Sequence, residues 1–237
     1  MTWIKYWNSK PSIYVSERHK AEHYRSLAIQ ISELVPGSTA KVLDYGCGEA
    51  LAAREIAGCC GHLVLCDAAE SVRRGLTERF RDVHGISVCR PEDLADDATG
   101  RFDLIVVNSL LQYLAHDELA RCMAMWWRLL APNGEVLFAD IVPPDVKPHA
   151  DAWQLLTFAV RHGFFLEAVL GLVRTTLSDY RSLRDRLGFT MLSEAEFMAL
   201  TTRHGLTARR VHPNLGHNQL RMAFLARRST NSAEDKP

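Results

Sequence analysis

The chain has 237 residues, of which 47% are hydrophobic and 24% are charged, a balance typical of a globular protein and not of a disordered or fibrous one. Its 28 basic and 28 acidic residues cancel. The chain therefore has no overall attraction for a phosphate backbone, and nucleic acid is not an expected partner. One domain of this length buries a sufficient core without disulfides or metals, and we predict a single domain over residues 1–228.

Compartment and cysteine usage are predicted from local features. Six cysteines, at positions 47, 59, 60, 66, 89 and 122, lack paired C-x-x-C spacing. We interpret them as reduced core thiols and predict no metal site. The amino terminus has no apolar run ending in small residues, and Glu167 and Arg174 interrupt the most apolar stretch. These features predict a cytoplasmic protein without a transmembrane span. The polar residues 229–237 predict a disordered tail.

Short apolar segments alternate with helical patterns through the first 140 residues. An amphipathic helix is predicted from Glu17 to Val35, inside an N-terminal cap over residues 1–36. Asp117 is predicted to cap a later helix, which Pro132-Asn133-Gly134 ends. Five strands are predicted, at Lys41–Tyr45, His62–Cys66, Ile86–Cys89, Phe102–Val107 and Glu135–Ala139. This alternation predicts an α/β, Rossmann-like, doubly wound parallel sheet covered on both faces.

The last third of the chain departs from this rhythm. Residues 143–188 are helical, apolar and longer than a crossover needs, and we predict an inserted helical lid. Ser193-Glu-Ala-Glu196 is a capping box that opens a helix, and Gly205 ends it. Two further strands, Leu206–Val211 and Leu220–Ala226, predict an antiparallel hairpin that completes a seven-stranded sheet.

The most informative stretch is Val42-Leu-Asp-Tyr-Gly-Cys-Gly-Glu-Ala50, a strand that runs into a turn with two glycines and then into a helix. The glycines let backbone N–H groups approach a ligand closely. A dinucleotide fingerprint has a further glycine three residues after the second one, but Leu51 stands there, which argues against nicotinamide binding. Asp67 follows the next strand, where an acidic side chain can accept hydrogen bonds from ribose hydroxyls.

Four further features follow a characteristic order along the chain. They are Asp44 before the glycines, Glu92-Asp93 after the third strand, Asn108 at the end of the fourth strand, and the terminal hairpin. Together they resemble the class I S-adenosylmethionine-dependent methyltransferase family, from about Lys41 to Arg227. Ala50 stands in place of the family's third glycine, and its small side chain should be tolerated there. The resemblance implies S-adenosylmethionine as the cofactor. It implies that Asp44, Gly46 and Gly48 hold the methionine, with Cys47 in the turn, and that Asn108 and Ser109 lie near the methionine end. It further implies Asp67 at the ribose, Ala68 and Glu92 beside the adenine, and Asp93 at the adenine amino group.

Loops that follow the strands are expected to surround the transferred methyl group, because ligands lie over the carboxyl ends of strands in a doubly wound sheet. His217 is the predicted general base, and His116 is the second candidate. Each of them also has a purely structural interpretation, His217 in a turn and His116 at a helix start. The predicted substrate-binding residues are Tyr14, Gln112, Tyr113, Asn214 and Asn218.

The acceptor class and the role of the lid leave alternatives open. Amino-group methyltransferases of this family that act on nucleic acid usually carry an Asn/Asp-Pro-Pro-aromatic turn after the fourth strand. Here the turn is Asn108-Ser-Leu-Leu111, which favours a small molecule methylated on O, N or C. The lid is apolar on more than one face, consistent with burial, a hydrophobic or amphiphilic acceptor, a homodimer contact or a membrane surface. The chain is expected to be either a monomer or a homodimer. Two other functions remain: a catalytically silent cofactor-binding protein, and an NAD(P)-dependent oxidoreductase.

Overall fold

The computed structural model describes residues 2–9, 14–95, 101–146, 148–176 and 189–229. The predicted tail, apart from Ser229, lies outside the described residues, and so does the part of the predicted lid at residues 177–188. Ser229 donates its backbone N–H to the carbonyl oxygen of Gly205. The last described residue is therefore still attached to the folded domain.

Seven strands form one mixed sheet in the order β3-β2-β1-β4-β5-β7-β6. They are β1 (Lys41–Tyr45), β2 (His62–Cys66), β3 (Ile86–Cys89), β4 (Phe102–Asn108), β5 (Leu130–Ile141), β6 (Leu206–Val211) and β7 (Met222–Arg228). Strands β1 to β5 pair in parallel, and β7 runs antiparallel between β5 and β6. The predicted Rossmann-like sheet with its closing hairpin is confirmed. Strand order reverses between β1 and β4, and ligands of such sheets bind at this switch point.

Helices cover the sheet. The described residues contain α1 (Trp3–Asn8), α2 (Glu17–Ser32), α3 (Ala53–Ala57), α4 (Glu70–Phe80), α5 (Pro91–Ala95), α6 (His116–Leu129), α7 (Pro148–His162), α8 (Phe165–Thr176) and α9 (Glu194–Arg203). The predicted lid thus contains two helices, α7 and α8, which pack against each other. Among the described helices, none combines the length and the apolar character that crossing a bilayer requires.

The core lies on both faces of the sheet, because successive strand residues point to opposite sides. Val42 packs in one apolar cluster and its neighbour Leu43 in the other. Leu104 and Ile105 of β4 also lie in opposite clusters. All four are at most 2% exposed. The continuous apolar runs of the predicted strands therefore reflect burial on two sides.

Two local expectations were wrong. Asp117 does not cap α6, because the helix begins one residue earlier, and Glu118 instead accepts a hydrogen bond from the backbone N–H of Ala115 at 3.0 Å. Pro132-Asn133-Gly134 does not separate α6 from β5 but lies inside β5. The register passes from Phe102 opposite Leu130 to Leu104 opposite Glu135, so the extra residues form an irregularity within the pairing.

Gly134 is the position where this irregularity leaves no room for a side chain. A Cβ atom there would lie 2.5 Å from the carbonyl oxygen of Phe102, a backbone atom that cannot move aside cheaply. We expect Gly134→Ala to lower the free energy of unfolding by about 1–3 kcal/mol. Gly75→Ala is the matched control, since Gly75 lies within α4 with no atom near its added Cβ. That change should raise stability by up to about 1 kcal/mol. Urea unfolding measures both, and equal effects would contradict the account.

Candidate active site

The glycine turn after β1 is fixed to the end of β2. Gly46 and Gly48 adopt φ angles of +78° and +57°, which favour glycine. The backbone N–H groups of Gly46 and Cys47 both donate to the carbonyl oxygen of Cys66, at 2.8 and 3.2 Å. A side chain at Gly46 would meet Leu110, which follows β4. The turn is therefore held between the carboxyl ends of β2 and β4.

Asp67 links this turn to the start of α4. Its carboxylate accepts hydrogen bonds from the backbone N–H of Gly48 at 3.0 Å and of Ala69 at 2.8 Å, one on each oxygen. Burial raises the pKa of Asp67, and these two donors oppose the shift. Each oxygen keeps a free lone pair, so the carboxylate can still accept two hydroxyl donors. Ala68, beside it, is exposed. Two acceptor positions on Asp67 therefore stay open at the carboxyl end of β2.

Asp44 is a partly buried carboxylate at the end of β1. No described residue donates a hydrogen bond to it. Burial raises the pKa of Asp44 to about 7, and the nearby charge of Asp67 adds to this shift. A desolvated carboxylate without a donor is costly, so a ligand that brings a positive group would stabilise its ionised form.

The two acidic residues after β3 lie in the first turn of α5, and both are exposed. Asp93 accepts hydrogen bonds from Arg90, at 2.8 Å from the backbone N–H and 2.6 Å from the guanidinium. This pairing holds the pKa of Asp93 at about 2. Asp93 is thus ionised and held by its own loop, while no described residue pairs with the neighbouring Glu92.

A strained polar contact joins the ends of β4 and β5. Ser109 and Asp140 have positive φ angles, +54° and +58°, which are uncommon for residues other than glycine and typical of functional sites. The hydroxyl of Ser109 donates to the Asp140 carboxylate at 2.7 Å, and the backbone N–H of Asp140 donates to Asn214 at 2.9 Å. Sequence reasoning missed Asp140, although its place directly before the end of a parallel strand was a usable signal.

A cavity of about 160 Å³ lies at this edge of the sheet. Its walls come from α2, from the ends of β4 and β5, and from the loop before β7: His23, Asn108, Ser109, Asp140, Leu215, His217, Asn218 and Arg221. The cavity therefore brings together four of the predicted site residues, Asn108, Ser109, His217 and Asn218. A wider, more open cavity of about 370 Å³ lies beside it, lined in part by Ala150 and Leu220.

Three histidine rings cluster at the cavity. The ring centroid of His217 lies 5.6 Å from that of His19 and 6.0 Å from that of His23. Burial lowers the pKa values of His19 and His217 to about 4 and that of His23 to about 3. All three rings are consequently neutral near pH 7, and neutral imidazole carries a lone pair that can accept a proton. Sequence reasoning missed His19 and His23, whose spacing of four residues on one helix was the available signal. Among the described residues, no cluster of His, Cys, Asp or Glu is arranged to hold a metal ion.

Several predicted residues do not line the cavity. His116 is exposed at the first position of α6. The Asn214 side chain is buried and bonded within its own loop, donating to the carbonyl oxygens of Leu215 and Asn218. Gln112 is buried, and it lies in the segment of the chain that connects β4 to α6. Asn214 therefore shapes the loop that carries His217.

The amino-terminal residues close over the same edge of the sheet. In α1, the rings of Trp3 and Trp7 pack on Tyr113, with centroids 4.6 and 5.5 Å away. Asn8 accepts a hydrogen bond from the backbone N–H of Ser71 at the start of α4, at 3.0 Å. Helix α1 thus bridges the loop after β4 and the helix after β2. This amino-terminal segment passes across the edge of the sheet that carries the glycine turn.

Tyr14 lies at the border between the glycine turn and the cavity. It is hydrogen-bonded to Tyr24, whose hydroxyl accepts the backbone N–H of Glu49 at 3.1 Å. Burial raises the pKa of Tyr14 to about 12, with smaller contributions from Glu49 and Asp140. Among the five predicted substrate-binding residues, Asn218 lines the cavity.

The lid is attached to the cavity wall. Asp151 of α7 accepts hydrogen bonds from Asn218 at 2.8 Å and from Arg221 at 2.6 Å. Phe158 stacks on His217 with ring centroids 4.8 Å apart. The opposite face of α7 and α8 is exposed and apolar, with Trp153 68% and Leu166 74% accessible. Part of the lid's apolar surface is therefore packed against the site, and part of it faces outward.

Comparisons with known proteins show what the chain resembles. Residues 42–134 match the model of a methyltransferase domain. The matched residues run from β1 into β5. This match bears out the predicted methyltransferase domain over these residues, and with it the prediction of S-adenosylmethionine as the methyl donor. No curated protein matches the chain in sequence at a significant level.

Solved structures share the fold at low sequence identity. The DhpI–SAH complex is 14% identical with a TM-score of 0.57, over 96% of this chain and 95% of that one. The N-methyltransferase NodS from Bradyrhizobium japonicum, in complex with S-adenosylhomocysteine, is 19% identical with a TM-score of 0.54, over 88% and 85%. The YcgJ protein from Bacillus subtilis is 15% identical with a TM-score of 0.57, over 80% and 71%.

Asp67 offers a direct test of the cofactor site. We expect Asp67→Ala to weaken S-adenosylhomocysteine binding by about 1.5–3 kcal/mol, because charge-assisted hydrogen bonds to the ribose are lost. Isothermal titration calorimetry measures the change. Asp82→Ala removes an exposed carboxylate just after α4 and should leave the affinity unaltered. Equal affinities for the two variants would place the ribose elsewhere.

Proposed function

We propose that this methyltransferase binds S-adenosylmethionine across the glycine turn and transfers its methyl group to a small molecule that enters the cavity between β4, β5 and the loop before β7. The observation that carries the proposal is the position of Asn108 and Ser109. They follow β4 at the switch point of the sheet, beside the turn predicted to hold the cofactor, and they also line the cavity. A cofactor and an acceptor bound on either side of these residues would meet there.

The residues present fit the cofactor. The Asp44 carboxylate lacks a donor, which matches the ammonium group of the methionine part. Asp67 keeps two lone pairs for the ribose hydroxyls, and the glycine turn has positive φ angles that let its backbone lie close to a ligand. When bound, S-adenosylmethionine supplies an activated methyl group on a sulfonium sulfur. The protein's own contribution is then alignment of the acceptor, which alone can lower the barrier by several kcal/mol.

A small-molecule acceptor fits the enclosed cavity and the balanced charge. The cavity volume of about 160 Å³ is close to that of protein cavities that hold one benzene molecule. Its neutral imidazoles can receive a proton from an acceptor that arrives protonated. The inner face of the lid, through Phe158 and Asp151, packs against His217 and Arg221 of the cavity wall.

The titration of Asp44 makes cofactor binding depend on pH. Its pKa of about 7 in the free protein falls once a ligand ammonium group pairs with the carboxylate, so binding releases a proton below about pH 7. We expect the affinity for S-adenosylhomocysteine to fall roughly tenfold between about pH 8 and about pH 6. Asp44→Asn should bind more weakly at about pH 8 and lose this dependence.

Calorimetry at several pH values measures both affinities. Methylthioadenosine is the matched control ligand, because it lacks the amino acid part that carries the ammonium group. Its affinity should not change across the same pH range. An equal pH dependence for the two ligands would separate Asp44 from the methionine end.

A further inference from the structure

Four buried polar atoms at the cavity have no hydrogen-bond partner among the described residues. They are Nδ1 of His23, Oδ1 of Asn108, Nδ1 of His217 and Nη1 of Arg221. Leaving a buried polar atom unpaired costs about 1–3 kcal/mol. Four such atoms around one small cavity are therefore best explained by a ligand that supplies their partners.

Arg221 is already neutralised by protein carboxylates. Its guanidinium donates to Asp151 at 2.6 Å, and its Nε lies 3.8 Å from Asp140. A ligand carboxylate or phosphate would add a further negative charge beside these two. A ligand ammonium group would lie against the guanidinium itself. The remaining Nη1 donor therefore suits an uncharged oxygen.

The other unpaired atoms suit a hydrogen-bond donor on the same ligand. The Asn108 carbonyl oxygen accepts hydrogen bonds in every state. The neutral imidazole of His217 accepts at one ring nitrogen. A hydroxyl is the smallest neutral oxygen group that both accepts from Arg221 and donates to one of these atoms. Carbonyl and ether oxygens only accept.

We propose that the acceptor is a neutral hydroxyl compound with a reactive end about the size of one aromatic ring, oriented by Arg221 and deprotonated by His217. This rests on the proposed methyltransferase function and specifies its substrate class. As the acceptor oxygen forms its bond to the methyl carbon, the bond from that carbon to the sulfonium sulfur breaks and its electron pair stays on sulfur. The hydroxyl proton passes to the free nitrogen of His217 and then to solvent, so the products are a methyl ether, S-adenosylhomocysteine and a proton.

Ligand ranking on the wild-type protein tests the proposal without any substitution. The protein is saturated with S-adenosylhomocysteine and titrated with phenol, anisole, benzoate and benzylamine, with binding followed by protein-observed NMR. Phenol should bind at least about tenfold more tightly than anisole, which lacks the donor. Benzoate and benzylamine should bind more weakly than phenol. Tighter binding of benzoate or benzylamine, or no binding of any of the four, overturns the hydroxyl assignment.

Two substitutions assign the roles. Arg221→Lys keeps the charge but not the guanidinium fork, and it should weaken phenol binding by about tenfold while S-adenosylhomocysteine affinity stays within about threefold. His217→Asn should leave both affinities within about threefold and lower the turnover number for anisole formation from phenol by about a hundredfold, the usual size of a lost proton transfer. Unchanged turnover removes His217 as the base, and unchanged phenol affinity removes Arg221.

The proposed function and the proposed substrate class can fail separately. If S-adenosylhomocysteine does not bind the wild-type protein, the proposed function itself fails. If it binds and the ligand ranking differs from the one given above, only the substrate class fails.

Discussion

The hydrogen bond from the backbone N–H of Gly48 to the Asp67 carboxylate is the contact on which the proposed cofactor side of this molecule depends. It joins the turn after β1 to the end of β2 and fixes both against the start of α4 through Ala69. The turn adopts backbone angles that glycine tolerates, and the carbonyl oxygen of Cys66 holds its first two N–H groups. The strongly buried parallel strands supply the rigid frame, so that the carboxylates of Asp44 and Asp67 are brought together at one edge despite their mutual repulsion.

The proposed acceptor side depends on a different kind of interaction, a partly buried network between the lid and the loop before β7. Asp151 receives hydrogen bonds from both Asn218 and Arg221, and Phe158 stacks on His217. The lid thus holds in place three residues that line the cavity. The network leaves several polar atoms unpaired at the cavity. The proposed specificity for the acceptor depends on these unpaired atoms as well as on the contacts within the network.

The sheet was readable from the sequence because its strands are buried on both faces. His62–Cys66 and Leu206–Val211 were predicted with the bounds that the structure shows. The order of Asp44, the two glycines and Asp67 indicated the methyltransferase domain that residues 42–134 match. Sequence patterns could not show that Pro132-Asn133-Gly134 lies within β5, since strand pairing with β4 overrides the local preference for a turn. Nor could they show the cavity, because His23, Asp140, Asp151 and Arg221 are far apart in the chain and gain their meaning only from tertiary contact.

The most direct test of the central claim is a thermal melt of the purified chain with S-adenosylhomocysteine and, separately, with NAD. At about a hundredfold excess over its dissociation constant, a ligand that binds only the folded state adds about 2.7 kcal/mol to stability, which gives a clear rise in melting temperature. The account predicts stabilisation by S-adenosylhomocysteine and none by NAD. Stabilisation by NAD alone, or by neither ligand, would contradict the assignment of the glycine turn, Asp44 and Asp67 to S-adenosylmethionine.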